Sequence, residues 1–254
     1  MPPDNPMAEQ QNTLFVEAHR IKAELKQHFI HSSIECPYGI PYTAVYNQAL
    51  FDTMPDFLMG VYLTSGYRRN GNVIYCMHCD DCKACVPIRI DPKEFKPNRN
   101  QQRTWSKNTD ITVEVTPLTC SRENLNLLEK FLAARYPGHD SSALDYYNGF
   151  FLNHITNTVE ISYRVGSRLI GVSIVDLSTS WLNIVFFYFD PAEAKRSPGT
   201  FNILHLIDFC MQKGIELVYL GYWIKDVRQM SYKANFKPHQ LLQEGTWQSI
   251  TKYS

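Results

Sequence analysis

Residues 160–188 repeat with a period of two and so resist a helical reading. Segments 160–165, 169–176 and 181–188 read as strands, with turns at Gly166-Ser167 and Ser178-Thr179-Ser180 between them. That is an antiparallel meander. Two helical patterns precede it. Residues 122–136 space Leu125, Leu128 and Leu132 along one stripe, with Ser121 as cap and Pro137-Gly138 as stop. Residues 142–152 follow, after a polar approach at His139–Ser142. Past the meander come the turn Phe189-Asp190-Pro191 and the loop Lys195-Arg196-Ser197-Pro198-Gly199-Thr200. A helix at 200–212 presents Phe201, Leu204, Ile207 and Met211 and stops at Gly214. A strand at 218–224 and a polar return at 225–237 complete the run. Two helices, a meander, a helix and a strand make an α+β layer architecture.

The first half reads differently. Residues 1–13 are polar and are expected to be disordered. Thr13 suits a cap for a helix carrying Leu14, Ala18, Ile21 and Leu25. A short strand is expected at 29–34, ended by Cys36-Pro37-Tyr38. Residues 49–61 suggest a helix packing Met54, Phe57, Leu58 and Val61. Asn70-Gly71 suggests a hairpin turn before a strand at 72–76. Strands at 86–90 and 111–115 flank a turn and helix within 91–108. The boundary is expected near 116–119, giving an N-terminal domain over 14–117 and a second over 118–254.

Formal net charge is zero, so a polyanion must be met by a local patch. One candidate is Lys93, Lys96, Arg99, Arg103 and Lys107, interleaved with Phe95 and Trp105. Charges of this kind bind phosphates and the rings stack on unpaired bases; a solvated helix face is the plainer reading. No apolar run reaches about 18 residues, which predicts no membrane span. The start lacks the features of a secretory signal, and the expected compartment is the cytosol.

Cys76, Cys79, Cys82 and Cys85 are each separated by two residues. Thiols so spaced ligate a metal or pack as buried thiols. Four ligands from ten residues strain one tetrahedron, so Cys79, Cys82 and Cys85 with distant Cys36 make the easier set. Zinc and an iron–sulfur cluster both remain open. The loop at 196–200 offers a basic, glycine-containing start to a helix, which suits phosphate, although a capped helix with solvated neighbours explains it too. Arg68, Arg69 and Arg89 are candidate carboxylate readers or ordinary ion-paired residues. In the polar return, Arg228, Tyr232 and Lys233 follow an aromatic strand. No Ser-His-Asp set, Walker loop or dinucleotide fingerprint is present.

The meander–helix–strand order resembles the N-acetyltransferase superfamily (GNAT-like). A more specific likeness spans residues 29–242. It is carried in order by Cys36-Pro37-Tyr38, Tyr67-Arg68-Arg69-Asn70-Gly71, and the run His78-Cys79-Asp80-Asp81-Cys82-Lys83-Ala84-Cys85-Val86-Pro87-Ile88-Arg89. Phe95-Lys96-Pro97-Asn98-Arg99-Asn100-Gln101, Tyr188-Phe189-Asp190-Pro191 and Arg196-Ser197-Pro198-Gly199-Thr200 follow. Tyr219-Leu220-Gly221-Tyr222-Trp223-Ile224 and Met230-Ser231-Tyr232-Lys233-Ala234-Asn235-Phe236-Lys237-Pro238 close the series. This set resembles the arginyl-tRNA–protein transferase family, and within it the bacterial aspartate/glutamate leucyltransferase branch. Gly39-Ile40-Pro41-Tyr42 departs from the family's usual continuation, Cys76 is an extra thiol, and the first helix is an addition.

The resemblance implies an aminoacyltransferase of the N-degron pathway. It would move leucine from Leu-tRNA to the N-terminal Asp or Glu of a protein, or arginine as in the longer relatives. The first domain would recognise the acceptor and the second would be a GNAT-like transfer domain. Lys96, Arg99, Arg103, Arg196, Gly199 and Thr200 would hold the RNA. Asp190, Tyr222, Tyr232 and Lys233 would surround the reacting ester, and Arg68, Arg69 and Arg89 would read the acidic side chain. The ester is already activated, so the chemistry needs no cofactor; a zinc ion or iron–sulfur cluster would be structural. Two rivals are an acetyl-CoA-dependent N-acetyltransferase, which usually carries a glycine-richer phosphate loop, and a non-catalytic RNA-binding module.

Overall fold

The computed structural model describes residues 16–251, except Ala18 and His139. The expected disordered start, Thr13, Leu14, Ala18 and His139 therefore lie outside the described residues. The chain divides into two compact units: Met1–Lys83 with His154–Thr156, and Ala84–Asn153 with Asn157–Ser254. The division falls at Lys83/Ala84 rather than near 116–119. Strands and a helix expected in the first domain belong instead to the larger unit's sheet.

The smaller unit starts with helix α1 (residues 19–25), then β1 (Ile30–Glu35), β2 (Thr43–Leu50), α2 (Asp56–Thr64), β3 (Arg68–Asn70) and β4 (Val73–Met77). Its sheet runs β1-β2-β4-β3, all antiparallel. The helix expected at 49–61 is a correction: residues up to Leu50 belong to β2, and α2 begins only after Pro55. Proline disfavours a helical residue before it, and β2 pairs on both edges, so ladder bonds override the helical pattern. The hairpin turn is Gly71-Asn72, one residue later than expected, since Asn70 pairs with Val73. Tyr62 anchors this unit, its ring 5.2 Å from Tyr67 and 5.8 Å from Phe29.

The larger unit contains β5 (Val86–Ile90), α3 (Arg99–Lys107), β6 (Ile111–Pro117), α4 (Arg122–Arg135), α5 (Ala143–Tyr146) and a π-helical turn (Tyr147–Phe151). The meander β7 (Thr158–Val165), β8 (Arg168–Leu177) and β9 (Trp181–Phe189) follows, then α6 (Pro198–Lys213), β10 (Leu217–Trp223), α7 (Arg228–Ser231), β11 (His239–Gln243) and β12 (Thr246–Ile250). They form one mixed sheet in the order β12-β11-β5-β10-β9-β8-β7-β6. Both units are thus mixed α and β. The helix expected at 142–152 is split between α5 and the π-helical turn. Among the described residues no helix is long and apolar enough to cross a membrane.

Helices cover both sheet faces. On one, α6 buries Phe201, Leu204 and Ile207 against Ile88, Ile90, Val218 and Leu220. On the other, α4 buries Leu127, Leu128, Phe131 and Leu132 against Leu169, Val172 and Ile174. The α4 stripe is thus centred one turn-face away from Leu125, which is only partly buried. The hairpin β11–β12 went unread in the sequence. Its Glu244-Gly245 turn has positive φ at both residues, 50° and 77°, the conformation that two-residue hairpins favour.

Every pair in the sheet is antiparallel except one. β9 and β10 run parallel, joined by the α6 crossover, and they pair only at Trp181–Leu217, Leu182–Val218 and Asn183–Tyr219. Just past that point both strands bulge. β9 carries an unmatched Val185 against β8, and β10 carries an unmatched Leu220 against β5. A bulge bends its strand and interrupts the ladder, so two bulges at one level drive the strands apart.

One buried carboxylate ties the meander to α4. Glu160 on β7 is 1% exposed. It accepts hydrogen bonds from Tyr147 Oη at 2.6 Å, Thr119 Oγ1 at 2.8 Å and Asn124 Nδ2 at 2.8 Å. Three donors compensate a burial that no cation among the described residues offsets. Glu160→Leu leaves all three donors unpaired and is expected to lower unfolding free energy by about 3 kcal/mol or more, with Glu160→Gln costing less than half of that. Urea titration followed by circular dichroism measures both.

Candidate functional site

Two helix starts and one return loop meet beyond the carboxyl ends of the parallel pair. Asn98 caps α3: its Oδ1 accepts from the backbone N–H groups of Asn100 and Gln101, both at 3.0 Å, while Gln101 Oε1 accepts from Asn98 N at 2.8 Å. Gln101, 4% exposed, also donates through Nε2 to the Asn235 carbonyl at 3.2 Å. This one side chain fixes the α3 start to the loop after β10. The N-x-x-Q capping pattern was present in the sequence and passed unread.

The start of α6 differs from expectation. The helix begins at Pro198, two residues before the expected start at 200. Ser197 occupies the cap position with φ +56°, Pro198 fills the first helical position, and the N–H groups of Thr200 and Phe201 both reach the Ser197 carbonyl at 3.0 Å. Proline lacks an N–H, so Gly199 supplies the unengaged backbone donor of this turn. Above it lies Tyr232, whose Oη would stand 3.6 Å from a Cβ at position 199. Desolvation pushes the Tyr232 phenol up to about 12, so it stays neutral and able to donate at physiological pH.

A cleft of about 560 Å³ opens among these parts, lined by Asn98, Arg99, Asn100, Ser197, Thr200 and Tyr232 with the Thr104, Asn235 and Phe236 side chains behind. Its groups are mostly neutral hydrogen-bonding side chains, with Arg99 as the cation among them. Lys96, Arg99 and Arg103 are exposed and make no ion pair among the described residues. Lys107, at the far end of α3, donates to the Lys195 carbonyl.

Arg196 is placed differently from the expected phosphate ligand. It forks onto Asp110 with both bonds at 2.8 Å, and its Nε meets Glu193 at 2.8 Å. The Asp110 bond raises the guanidinium's pKa, and Arg196 in turn holds Asp110 below the usual carboxylate range. Arg196 therefore braces the loop. Asp190 is likewise a brace: its Oδ1 caps the 3-10 turn Pro191–Arg196 through Ala192 N at 3.0 Å, and its Oδ2 lies 3.4 Å from Arg168. Lys233 Nζ donates to the Tyr222 carbonyl at 2.9 Å, holding the return loop on β10.

The three arginines expected to read an acidic side chain do not form one group within either unit. Arg68 and Arg69 sit in the smaller unit, 4% and 5% exposed, donating to the Tyr67 and Gly71 carbonyls. Arg89 sits on β5 of the larger unit, half-buried. The cysteines are all free thiols. Cys79 Sγ accepts from Val45 N at 3.4 Å and Cys76 Sγ lies 3.8 Å from Asn47 Nδ2. Among the described residues no three His, Cys, Asp or Glu side chains are placed to hold a metal ion.

The cleft at two helix starts thus lies beside the parting parallel strands. Family models assign the particular class. Residues 35–103 match the N terminus and 123–243 the C terminus of the arginine-tRNA-protein transferase family, and the chain belongs to that family. It is an aminoacyltransferase. Among curated proteins it is 36% identical to the aspartate/glutamate leucyltransferase of Hahella chejuensis over 73% of this chain and 80% of that one. The enzyme of the same name from Thiobacillus denitrificans is 30% identical, over 88% and 95%. That of Nitrosococcus oceani is 38% identical, over 74% and 79%. The solved structure of L-PGS from Bacillus licheniformis overlays with a TM-score of 0.41 at 12% identity, over 68% of this chain and 52% of that one, too distant to assign a fold.

Two substitutions separate scaffold from surface in this cleft. Gln101→Leu strands the Asn98 N–H and the Asn235 carbonyl and is expected to cost about 1–3 kcal/mol of stability. Arg99→Ala, an exposed cation without an ion pair, is expected to stay within about 0.5 kcal/mol of the parent. Yet Arg99→Ala should weaken RNA binding, measured by filter retention at fixed salt.

Proposed function

We propose that this protein transfers leucine from Leu-tRNA to the N-terminal Asp or Glu of proteins, acting in the cytosol within the N-degron pathway. The observation that carries the reading is the parting of β9 and β10 past Asn183 and Tyr219, beside the cleft at the α6 start. Ligands of sheets with parallel strands sit beyond the strands' carboxyl ends. The layout supports a GNAT-like transfer domain, in which an acyl group enters between two parting strands. The names of the curated relatives support leucine as donor and acidic residues as acceptors. Free thiols throughout suit a reducing compartment.

The cleft's make-up favours a terminal nucleoside over a coenzyme diphosphate. Neutral Asn, Ser, Thr and Tyr groups suit ribose and base edges. Arg99 and the Gly199 N–H suffice for one phosphate, and Arg103 on α3 with Lys96 just before it extends the charge for the phosphates that follow. This supports tRNA and disfavours acetyl-CoA, whose diphosphate calls for several free N–H groups.

The reaction asks little of the protein. The neutral α-amino nitrogen of the acceptor attacks the ester carbonyl carbon. An amide C–N bond forms, the C–O bond to the RNA 3′ oxygen breaks, and the proton lost by the amine ends on that oxygen. An α-amino group has a pKa near 7.7–8.0, so a useful fraction is already neutral. Holding amine and ester together supplies up to about 7–11 kcal/mol of the barrier. Tyr232, a neutral phenol, donates to the leaving oxygen, and Tyr222 with Trp223 shapes the leucyl pocket. Asp190 and Arg196 act through the loop they brace.

The test is transfer itself. Labelled Leu-tRNA or Arg-tRNA is incubated with the protein and peptides starting with Asp, Glu, Lys or Arg. Leucine is expected to appear on the acidic peptides. No label on any acidic peptide from either donor overturns the proposal. Tyr232→Phe removes a hydroxyl that makes no hydrogen bond among the described residues, so stability is expected to hold within about 0.5 kcal/mol. Its kcat should fall by about a hundredfold through loss of the leaving-group proton donor.

A further inference from the structure

We infer that Arg89 reads the side-chain carboxylate of the acidic acceptor residue and that Trp247 is the positioning residue that holds its guanidinium for that task. The inference rests on the transferase reading above and specifies its acceptor side.

The residues come together through strand register alone. Asp176, Asn183, Tyr219, Arg89 and Gln240 are successive partners across β8, β9, β10, β5 and β11. Residues directly opposite one another in neighbouring strands point to the same face, so these five form one polar row. Arg89 Nε donates to Gln240 Oε1 at 2.6 Å and Nη1 donates to Tyr219 Oη at 3.2 Å. The guanidinium carbon lies 4.1 Å from the centroid of the Trp247 ring. Planar stacking and two bonds along its edges leave the guanidinium little freedom.

Among the described residues this fixed cation has no counter-charge. Arg164, Arg168 and Arg196 of the same unit each meet a carboxylate. Arg89 meets none among the described residues, and Nη2 has no partner there. Asp176, the one carboxylate in the row, is held by Thr158 at 2.7 Å and Asn183 at 2.9 Å, on the far side of Tyr219. A half-buried, immobilised and uncompensated guanidinium is a receptor for a single anion. A polyanion such as RNA calls for a line of cations, which α3 supplies and this row does not.

Position fits the acceptor. The bulge at Leu220 puts Tyr222 opposite Pro87, two residues along β5 from Arg89 and on the same face. Two strand residues span about 7 Å. An acceptor whose amine meets the ester beside Tyr222 therefore directs its side chain toward Arg89. Trp247 stands outside the residues matched to the family, which end at Gln243. The stacking partner is thus supplied by this chain's own terminal hairpin.

The test uses the full chain with Leu-tRNA and peptides that differ only in beginning with Asp or Asn, or with Glu or Gln. Arg89→Gln is expected to reduce the Asp-over-Asn preference by about ten- to a hundredfold, as loss of a charged hydrogen bond does. The loss should enter through KM for the Asp peptide, with KM for Leu-tRNA unchanged. Trp247→Ala should move the same ratio in the same direction by less, and Trp247→Phe should restore most of it. Should Arg89→Gln fail to fold, Arg89→Lys and Trp247→Ala give the same reading, since each keeps part of the cradle. An intact Asp-over-Asn preference in the folded Arg89 variant overturns the inference, and so does a rise in KM for Leu-tRNA alone. Those outcomes leave wild-type transfer standing. Absence of transfer by the wild type would strike the transferase reading instead.

Discussion

The parallel contact between β9 and β10 is the interaction on which the rest of the larger unit depends. A parallel pair needs a crossover, and α6 is that crossover, so its N-terminus is delivered beyond the carboxyl end of β9. Three paired residues hold the strands at one end. Bulges at Val185 and Leu220 then bend both strands out of register with their antiparallel neighbours at the same level. The cleft, the α6 start and the Tyr232 loop all gather at the open end. The Leu220 bulge has a second effect, turning Tyr219 and Tyr222 to one face. A sheet without these bulges would close the gap and scatter the side chains.

Charge is distributed by the same economy. The chain is formally neutral, yet six arginines of its larger unit serve in two different ways. Arg164, Arg168 and Arg196 are paired and act as braces for loops near the sheet's edge and the α6 start. Arg99, Arg103 and Arg89 are left without carboxylates among the described residues. The first two lie on the exposed α3 face and the third in a polar row on the sheet. Exposed, unpaired cations contribute little to folding, so their place is better explained by what they meet. The α3 pair lies where a nucleic acid is proposed to bind, and Arg89 where one carboxylate is.

Much of this was legible in the sequence, and the failures have physical causes. The meander, α4 with its Ser121 cap, α6 with Gly214, and β10 declare themselves through local periodicity and punctuation. Ala49 and Leu50, the end of β2, share the local helical spacing of the residues after them, whereas their partners Ile74 and Val73 in β4 lie well along the chain. The β11–β12 hairpin was missed because Glu244-Gly245 is a weaker turn signal than Asn-Gly. Of the basic stretch, Arg99, Arg103 and Lys107 lie on α3, while Lys93 and Lys96 precede it. Arg196 was taken for a ligand because a lone loop arginine looks the same whether or not Asp110 and Glu193 await it. Register is the least visible quantity of all. Tyr219, Gln240 and Trp247 meet Arg89 only because four strands align, and a single bulge sets that alignment.

In the proposed reaction the donor's acylated end enters between β9 and β10 from the α6 side. A crystal structure of the protein with a short RNA stem ending in an amide-linked leucyl-adenosine tests this. The terminal nucleoside is expected against Gly199 and Tyr232, with the leucyl carbonyl in the gap past Asn183 and Tyr219. A leucyl-adenosine seated anywhere else on the protein, with the gap closed, would contradict it.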